Sequence, residues 1–213
     1  MASLDAPTGR RGKGSRPSDG QLLDGACAVF AARGYAAAGM DAIAEAAGCT
    51  KPTLYAHFAS KQTIYLAVLR REAEQLKQWL FAAYDKAEGL HIHEQIRAGM
   101  AAIFDYAKAH PDGLQLVMGT EGEGHLAVWR QFTDDIISRV ADLIRTNLAR
   151  YGYKPGPEVA PLAAMTVGTA IFAILHTYRN HPGDPEFVLD LTTEYAERGL
   201  RQLADPLGPS PEI

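Results

Sequence analysis

The stretch from Met40 to Phe58, MDAIAEAAGCTKPTLYAHF, leaves a folding chain few options. Met40, Ile43, Ala44 and Ala47 recur at the spacing of one helical face. Gly39 precedes them as a tolerable N-cap, and Gly48 follows as a residue that takes positive φ without strain. Thr50 can then cap a second helix, with Pro52 in its first turn, where a missing N–H costs nothing. Leu54 and Phe58 lie one turn apart and anchor this helix to the first, so Lys51, Thr53, Tyr55 and His57 are left to face outward. Two short helices joined by a glycine turn, the second with a cationic and hydroxyl-rich outer face, predict a helix-turn-helix.

With its flanks, the run Gly34-Tyr35, Ile43-Ala44, Ala47-Gly48, Thr50-Lys51, Thr53-Leu54-Tyr55, His57-Phe58 and Lys61 resembles the DNA-binding signature of TetR-type (TetR/AcrR) transcriptional regulators over residues 18–65. It departs from that pattern at Ala38 and Gly39, where the family often carries Thr or Ser, and at Cys49, which replaces a small apolar residue. The resemblance implies a DNA-contact set of Thr50, Lys51, Pro52, Thr53, Tyr55, His57 and Lys61. In that set Thr53 reads a base, while Tyr55, His57 and Lys61 position the sugar–phosphate backbone. It further implies an all-α fold: a three-helix helix-turn-helix domain, then a helical bundle for ligand binding and dimerisation.

A formal charge of −4 over 213 residues would by itself argue against a nucleic-acid partner. The distribution matters more, because binding needs a local basic face. Residues 1–65 have a balance of +2, which leaves −6 for residues 66–213. Residues 1–17, rich in Gly, Pro, Ser and basic side chains, read as a disordered basic arm. Its Arg10, Arg11, Lys13 and Arg16 suit either a solubilising tail or an arm that reaches phosphates or an A·T-rich minor groove. Cys27 and Cys49, without a signal peptide, read as reduced thiols of a cytoplasmic protein.

Ser18 and Gln21 form a capping-box pattern for a first helix that ends at Gly34. Ser60 caps a fourth helix, Lys61 to about Lys86, on the order of 35 Å long and able to belong to both halves of the molecule. Further helices are expected over Ile92–His110, His125–Tyr151, Val159–Tyr178 and Pro185–Leu203. Leu114–Met118 is expected as a short apolar piece leading into the glycine-rich loop 119–124. Residues 66–205 thus form the second domain, and residues 206–213 a frayed tail. Val159–Tyr178 lacks Lys, Arg, Asp and Glu, yet Pro161, Thr166, Gly168, Thr169 and His176 argue for a buried helix and against a membrane span.

No Walker, Rossmann or nucleophile-elbow pattern is present, and Glu121 and Glu123 sit on a loop too pliable for paired acid–base chemistry. No zinc spacing occurs, and His91, His93 and Glu94 read as a solvated helix start, so neither a metal, a cofactor nor an enzymatic activity is expected. The expected function is a repressor that binds a palindromic double-stranded DNA operator as a homodimer and is released by a small apolar effector. A ligand-independent regulator or an architectural DNA-binding protein is the alternative. The dimer is expected through Val159–Tyr178 and Pro185–Leu203. Met100, Phe104, Trp129, Phe132, Met165, Phe172 and His176, aromatic and Met side chains on several helices, are the candidate lining of the effector pocket.

Overall fold

The Ser18 hydroxyl accepts from the Gln21 N–H at 3.3 Å while the Gln21 side chain accepts from the Ser18 N–H at 2.9 Å, and this reciprocal cap starts α1 (Asp19–Ala37). The computed structural model describes residues 17–119, 121–180 and 184–204; the expected disordered arm, except for Pro17, and the expected frayed tail lie outside them. Gly34 was expected to end the first helix. It does so at φ +72°, ψ 165°, and a separate short turn beyond this kink carries α1 on to Ala37. Then follow α2 (Met40–Ala46), α3 (Lys51–His57) and α4 (Lys61–Lys86). Thr50 and Ser60 cap α3 and α4 by accepting from the N–H groups of Thr53 and Thr63, at 3.3 and 3.1 Å.

Leu22, Ala26 and Phe30 of α1, Ile43 of α2, Leu54 of α3 and Ile64 and Val68 of α4 close into the first core. Gly25 permits this packing: a Cβ there would lie 2.6 Å from the Ala47 backbone nitrogen. Any larger residue would push α1 off the helix-turn-helix.

The second bundle contains α5 (Ile92–Ala109), α6 (Pro111–Val117), α7 (His125–Arg150), α8 (Val159–Asn180) and α9 (Pro185–Ala204). All elements among the described residues are helical. Leu114–Val117 belongs to a helix of its own, because Pro111, which cannot continue α5, is well suited to the first turn of a new helix. Along α4, Ile64, Val68 and Leu69 pack in the first core and Ala73, Leu76 and Leu80 in the second. The hand-over is held by an ionic group built on the buried Glu72. Arg71 donates to Asp24 of α1 at 2.7 Å and to Glu72 at 2.6 and 2.9 Å, and the Tyr106 hydroxyl donates to Glu72 at 3.1 Å. Glu72 is buried, so both its oxygens need these donors.

The apolar helix α8 is long and apolar enough to cross a membrane over 159–177, with a mean hydropathy of 1.8. From its sequence it is expected as a buried helix that pairs with its mate in a dimer. In one chain only one side is buried: Ala163, Val167, Ile171 and Ile174 enter the core, while Phe172 is 73% exposed. Phe187, Leu191 and Tyr195 of α9 are exposed as well.

Candidate nucleic-acid interface and interior voids

Helix α3 presents Thr50, Lys51, Pro52, Tyr55 and His57 as exposed residues and Thr53 as a half-buried one. Its single buried side chain, Leu54, pins it to the first core. The Thr50 and Thr53 hydroxyls lie 2.8 Å apart, so capping the helix also orients Thr53. Lys51 donates to Asp41 of α2 at 2.9 Å, and this hydrogen bond, with the carboxylate's charge, raises the lysine pKa. His57 Nδ1 lies 2.8 Å from Asp19 at the start of α1. The Lys51 ammonium and the His57 ring are therefore each paired with an acid on a neighbouring helix.

Lys61 departs from the expected phosphate contact. Its ammonium donates to the carbonyls of Tyr35, Ala36 and Ala38 at 2.8, 3.1 and 3.1 Å and lies 4.7 Å from the centroid of the Tyr35 ring. With three donors spent on the carbonyl-rich end of α1, the half-buried Lys61 caps that helix. Sequence spacing places Lys61 at the start of α4 but cannot reveal that the end of α1 stands within reach.

The charge balance sharpens accordingly. Residues 17–65 carry Arg33, Lys51 and Lys61 against Asp19, Asp24, Asp41 and Glu45, a net −1, so the positive balance of the N-terminal third comes from residues 1–16.

The expected effector lining is not brought together. Met165, Phe172 and His176 are exposed on the outer side of α8, because three- and four-residue steps along one helix keep them on the face opposite Val167 and Ile171. Phe104 is buried and Trp129 half-buried, while Met100 and Phe132 border different voids. Three small voids instead run in series. The first, about 30 Å³, lies among Leu76, Phe132 and Ile171; the second, about 60 Å³, lies among Met100, Val140 and Thr166. They share Tyr84, Ile103, Val167 and Ala170. A third of about 80 Å³, bordered by Leu148, Tyr151 and Arg201, shares Ile92, Ile144 and Leu200 with the second. Gly99 gives the Tyr84 ring its place here, since a Cβ at residue 99 would lie 2.4 Å from that ring.

A larger cavity lies elsewhere. About 590 Å³ opens between the two bundles, against the ends of α1 and α8, the start of α4, α6 and Glu121. The Glu121 carboxylate accepts from the Tyr35 N–H at 2.9 Å, and its backbone carbonyl accepts from the Tyr65 hydroxyl at 2.6 Å. Burial, helped by the Glu121 charge, pushes the Tyr65 phenol up to about 12, so it remains a donor. His93, Glu194 and Glu197 could together hold a metal ion, but both carboxylates already pair with arginines, Arg198 and Arg201. Cys27 and Cys49 are free thiols, and burial pushes Cys27 up to about 12.

Residues 22–68 match the bacterial regulatory proteins of the tetR family. The transcriptional activator FasR of Mycolicibacterium smegmatis is 33% identical over 205 residues, spanning 91% of this chain and 90% of its own. A TetR-like regulator from Rhodococcus sp. RHA1 superposes with a TM-score of 0.69 at 25% identity, covering 86% of this chain and 95% of that one. FadR of Bacillus subtilis, solved in complex with stearoyl-CoA, superposes with a TM-score of 0.69 at 16% identity, covering 84% and 96%. The helix-turn-helix, the all-helical architecture and the full-length similarity lead to one assignment: the chain belongs to the TetR family, DNA-binding transcriptional regulators and not enzymes.

Proposed function

We propose that residues 18–65 read a palindromic operator, one copy per half-site, and that residues 66–205 form the dimerisation and effector domain of a homodimer. The exposed cap of α3 supports Lys51 and Thr53 as groove contacts, with Thr50, Pro52, Tyr55 and His57 beside the backbone. Lys61 is withdrawn from the contact set and holds α1 in place. Residues 1–16, which carry the positive balance, contribute phosphate or minor-groove contacts. The protein works where the DNA is, in the cytoplasm.

Dimerisation covers what one chain leaves open. Met165 and Phe172 on α8 and Phe187, Leu191 and Tyr195 on α9 are each more than half exposed. A contiguous apolar face of this kind marks a protein–protein contact. A two-fold pairing of these helices makes a four-helix interface and sets the reading helices about 34 Å apart.

The observation that carries the effector reading is the row of three apolar voids through the second bundle. Compact ligands need one roomy pocket; a row of narrow spaces joined through shared Tyr84, Ile103 and Ile144 walls suits a long, slender chain. The stearoyl-CoA held by B. subtilis FadR supports the same class, a long acyl chain on a large polar head. Widening the voids moves α4, which both cores share, and so favours a state whose reading helices no longer match the half-sites. A coupling of about 1–3 kcal/mol would weaken DNA binding about 5- to 150-fold.

The test is fluorescence anisotropy on an operator selected from random duplexes, with stearoyl-CoA titrated in. Loss of affinity in that range supports the reading; affinity unmoved by saturating acyl-CoA of any chain length rejects it. Release from an operator that overlaps a promoter makes the protein a repressor. The name of the M. smegmatis relative favours a second reading, activation, and an operator–reporter assay with and without the protein separates the two.

A further inference from the structure

We infer that the crevice between the two bundles is a second small-molecule site, separate from the row of voids and built for an apolar body ending in a single negative charge. Its volume of about 590 Å³ lies within the ordinary range of ligand sites, about 300–1,000 Å³. The walls are apolar and come from both halves of the molecule: Phe30 of α1, Tyr65 of α4, Leu114 and Leu116 of α6, and Ile174 and Leu175 of α8.

Three polar side chains besides the tyrosines reach the space: Arg33, Gln115 and Glu121. Two are already engaged. Gln115 donates to the Ala31 carbonyl at 3.0 Å, and Glu121 accepts from the Tyr35 N–H at 2.9 Å. Arg33 has no hydrogen bond or ion pair with another described residue. Arg33 is exposed at the edge of this space, so its guanidinium is free to turn to a planar or tetrahedral oxyanion held there. Glu121, whose charge stays in the same wall, opposes a doubly charged group. A carboxylate or sulfonate therefore fits better than a phosphate monoester.

The site is also distinct in place. Met118 borders both this crevice and the first of the three voids, and it is the one lining residue that the two have in common among those described. The crevice touches Gly34 and Tyr35, the turn gripped by Lys61 from one side and Glu121 from the other.

The probe is 8-anilinonaphthalene-1-sulfonate, an aromatic body with one sulfonate, titrated by fluorescence into the full-length protein with and without saturating stearoyl-CoA. Its neutral counterpart, N-phenyl-1-naphthylamine, is titrated alongside. We expect one saturable sulfonate site per protomer that survives stearoyl-CoA and binds the neutral dye about tenfold more weakly or worse. Arg33→Gln should weaken the sulfonate by about tenfold, Arg33→Lys should retain most of it, and Gln115→Trp, which puts a large ring into the space from an exposed position, should abolish it. Circular dichroism melting confirms that each variant is folded. Equal dye binding by wild type, Arg33→Gln and Gln115→Trp would overturn the site. So would displacement of the dye by stearoyl-CoA, which would put it in the voids. If stearoyl-CoA itself fails to bind, the acyl-effector reading falls while the Arg33 and Gln115 variants still decide this one.

Discussion

Lys61 sets its ammonium 2.8 Å from the carbonyl oxygen of Tyr35 and 4.7 Å from the centroid of the same residue's ring. One side chain thus satisfies the end of α1 and fixes the angle at which α1 meets α4. Lys61→Met keeps the aliphatic stem and removes the donors. It should lower unfolding stability by about 1.5–3 kcal/mol, the usual worth of hydrogen bonds to a charged group, read by urea denaturation. The salt dependence of DNA binding should stay that of wild type. A salt slope reduced by about one would return Lys61 to the phosphate contacts.

Lys51 behaves in the opposite way. It is exposed and its partner Asp41 is more exposed still, so the pair adds little to stability. Lys51→Ala should leave the melting temperature in place, weaken operator binding and relax the base preference at the position that Lys51 reads. Asp41→Asn frees Lys51 and removes a carboxylate from the DNA-facing side. Anisotropy titrations should show tighter binding for Asp41→Asn and weaker binding for Lys51→Ala.

Ala170 borders two of the three voids. Ala170→Phe fills that junction at a cost of about 1–3 kcal/mol for overpacking. The variant should bind operator as wild type does and no longer respond to stearoyl-CoA. A full response from the variant would show that the acyl chain lies elsewhere.

Phe172 is 73% exposed on the face assigned to the dimer. Phe172→Arg places two charges against each other across a two-fold axis, and sedimentation equilibrium at micromolar concentration should then report a monomer. If the variant sediments with wild type, the α8–α9 face is not the interface.

Glu197 on α9 gives the fold an acid limb. Burial alone would raise its carboxyl, but the hydrogen bonds from His93 and Arg201, with their charges, outweigh it and hold the group below its ordinary 4.5. A depressed folded value contributes stability above the ordinary one, lost as pH falls through the folded one. Thermal melts should therefore lose stability on acidification below about pH 4.5, with a shallower loss in Glu197→Gln.

Helix identities were legible in the chain wherever local chemistry decides them. The Ser18–Gln21 box, the Thr50 and Ser60 caps, Gly48 in the turn and the apolar spacing of α2 and α4 are signals within a few residues, and the helices form where those signals stand. The helix-turn-helix and its exposed residues follow from the same short-range rules. What stayed hidden depends on partners far along the chain. Lys61 reads as a phosphate ligand until the carbonyl of Tyr35, 26 residues away, accepts its hydrogen bond. No local signal marks Gly25; its need to be glycine comes from the Ala47 backbone packed against it. Met165, Phe172 and His176 have a composition equally suited to a pocket or to an interface, and only the rotation of α8 about its axis, set by how Val167 and Ile171 pack, turned them outward. Periodicity determines that a helix has an apolar face; which neighbour meets that face is a property of the packed bundle alone.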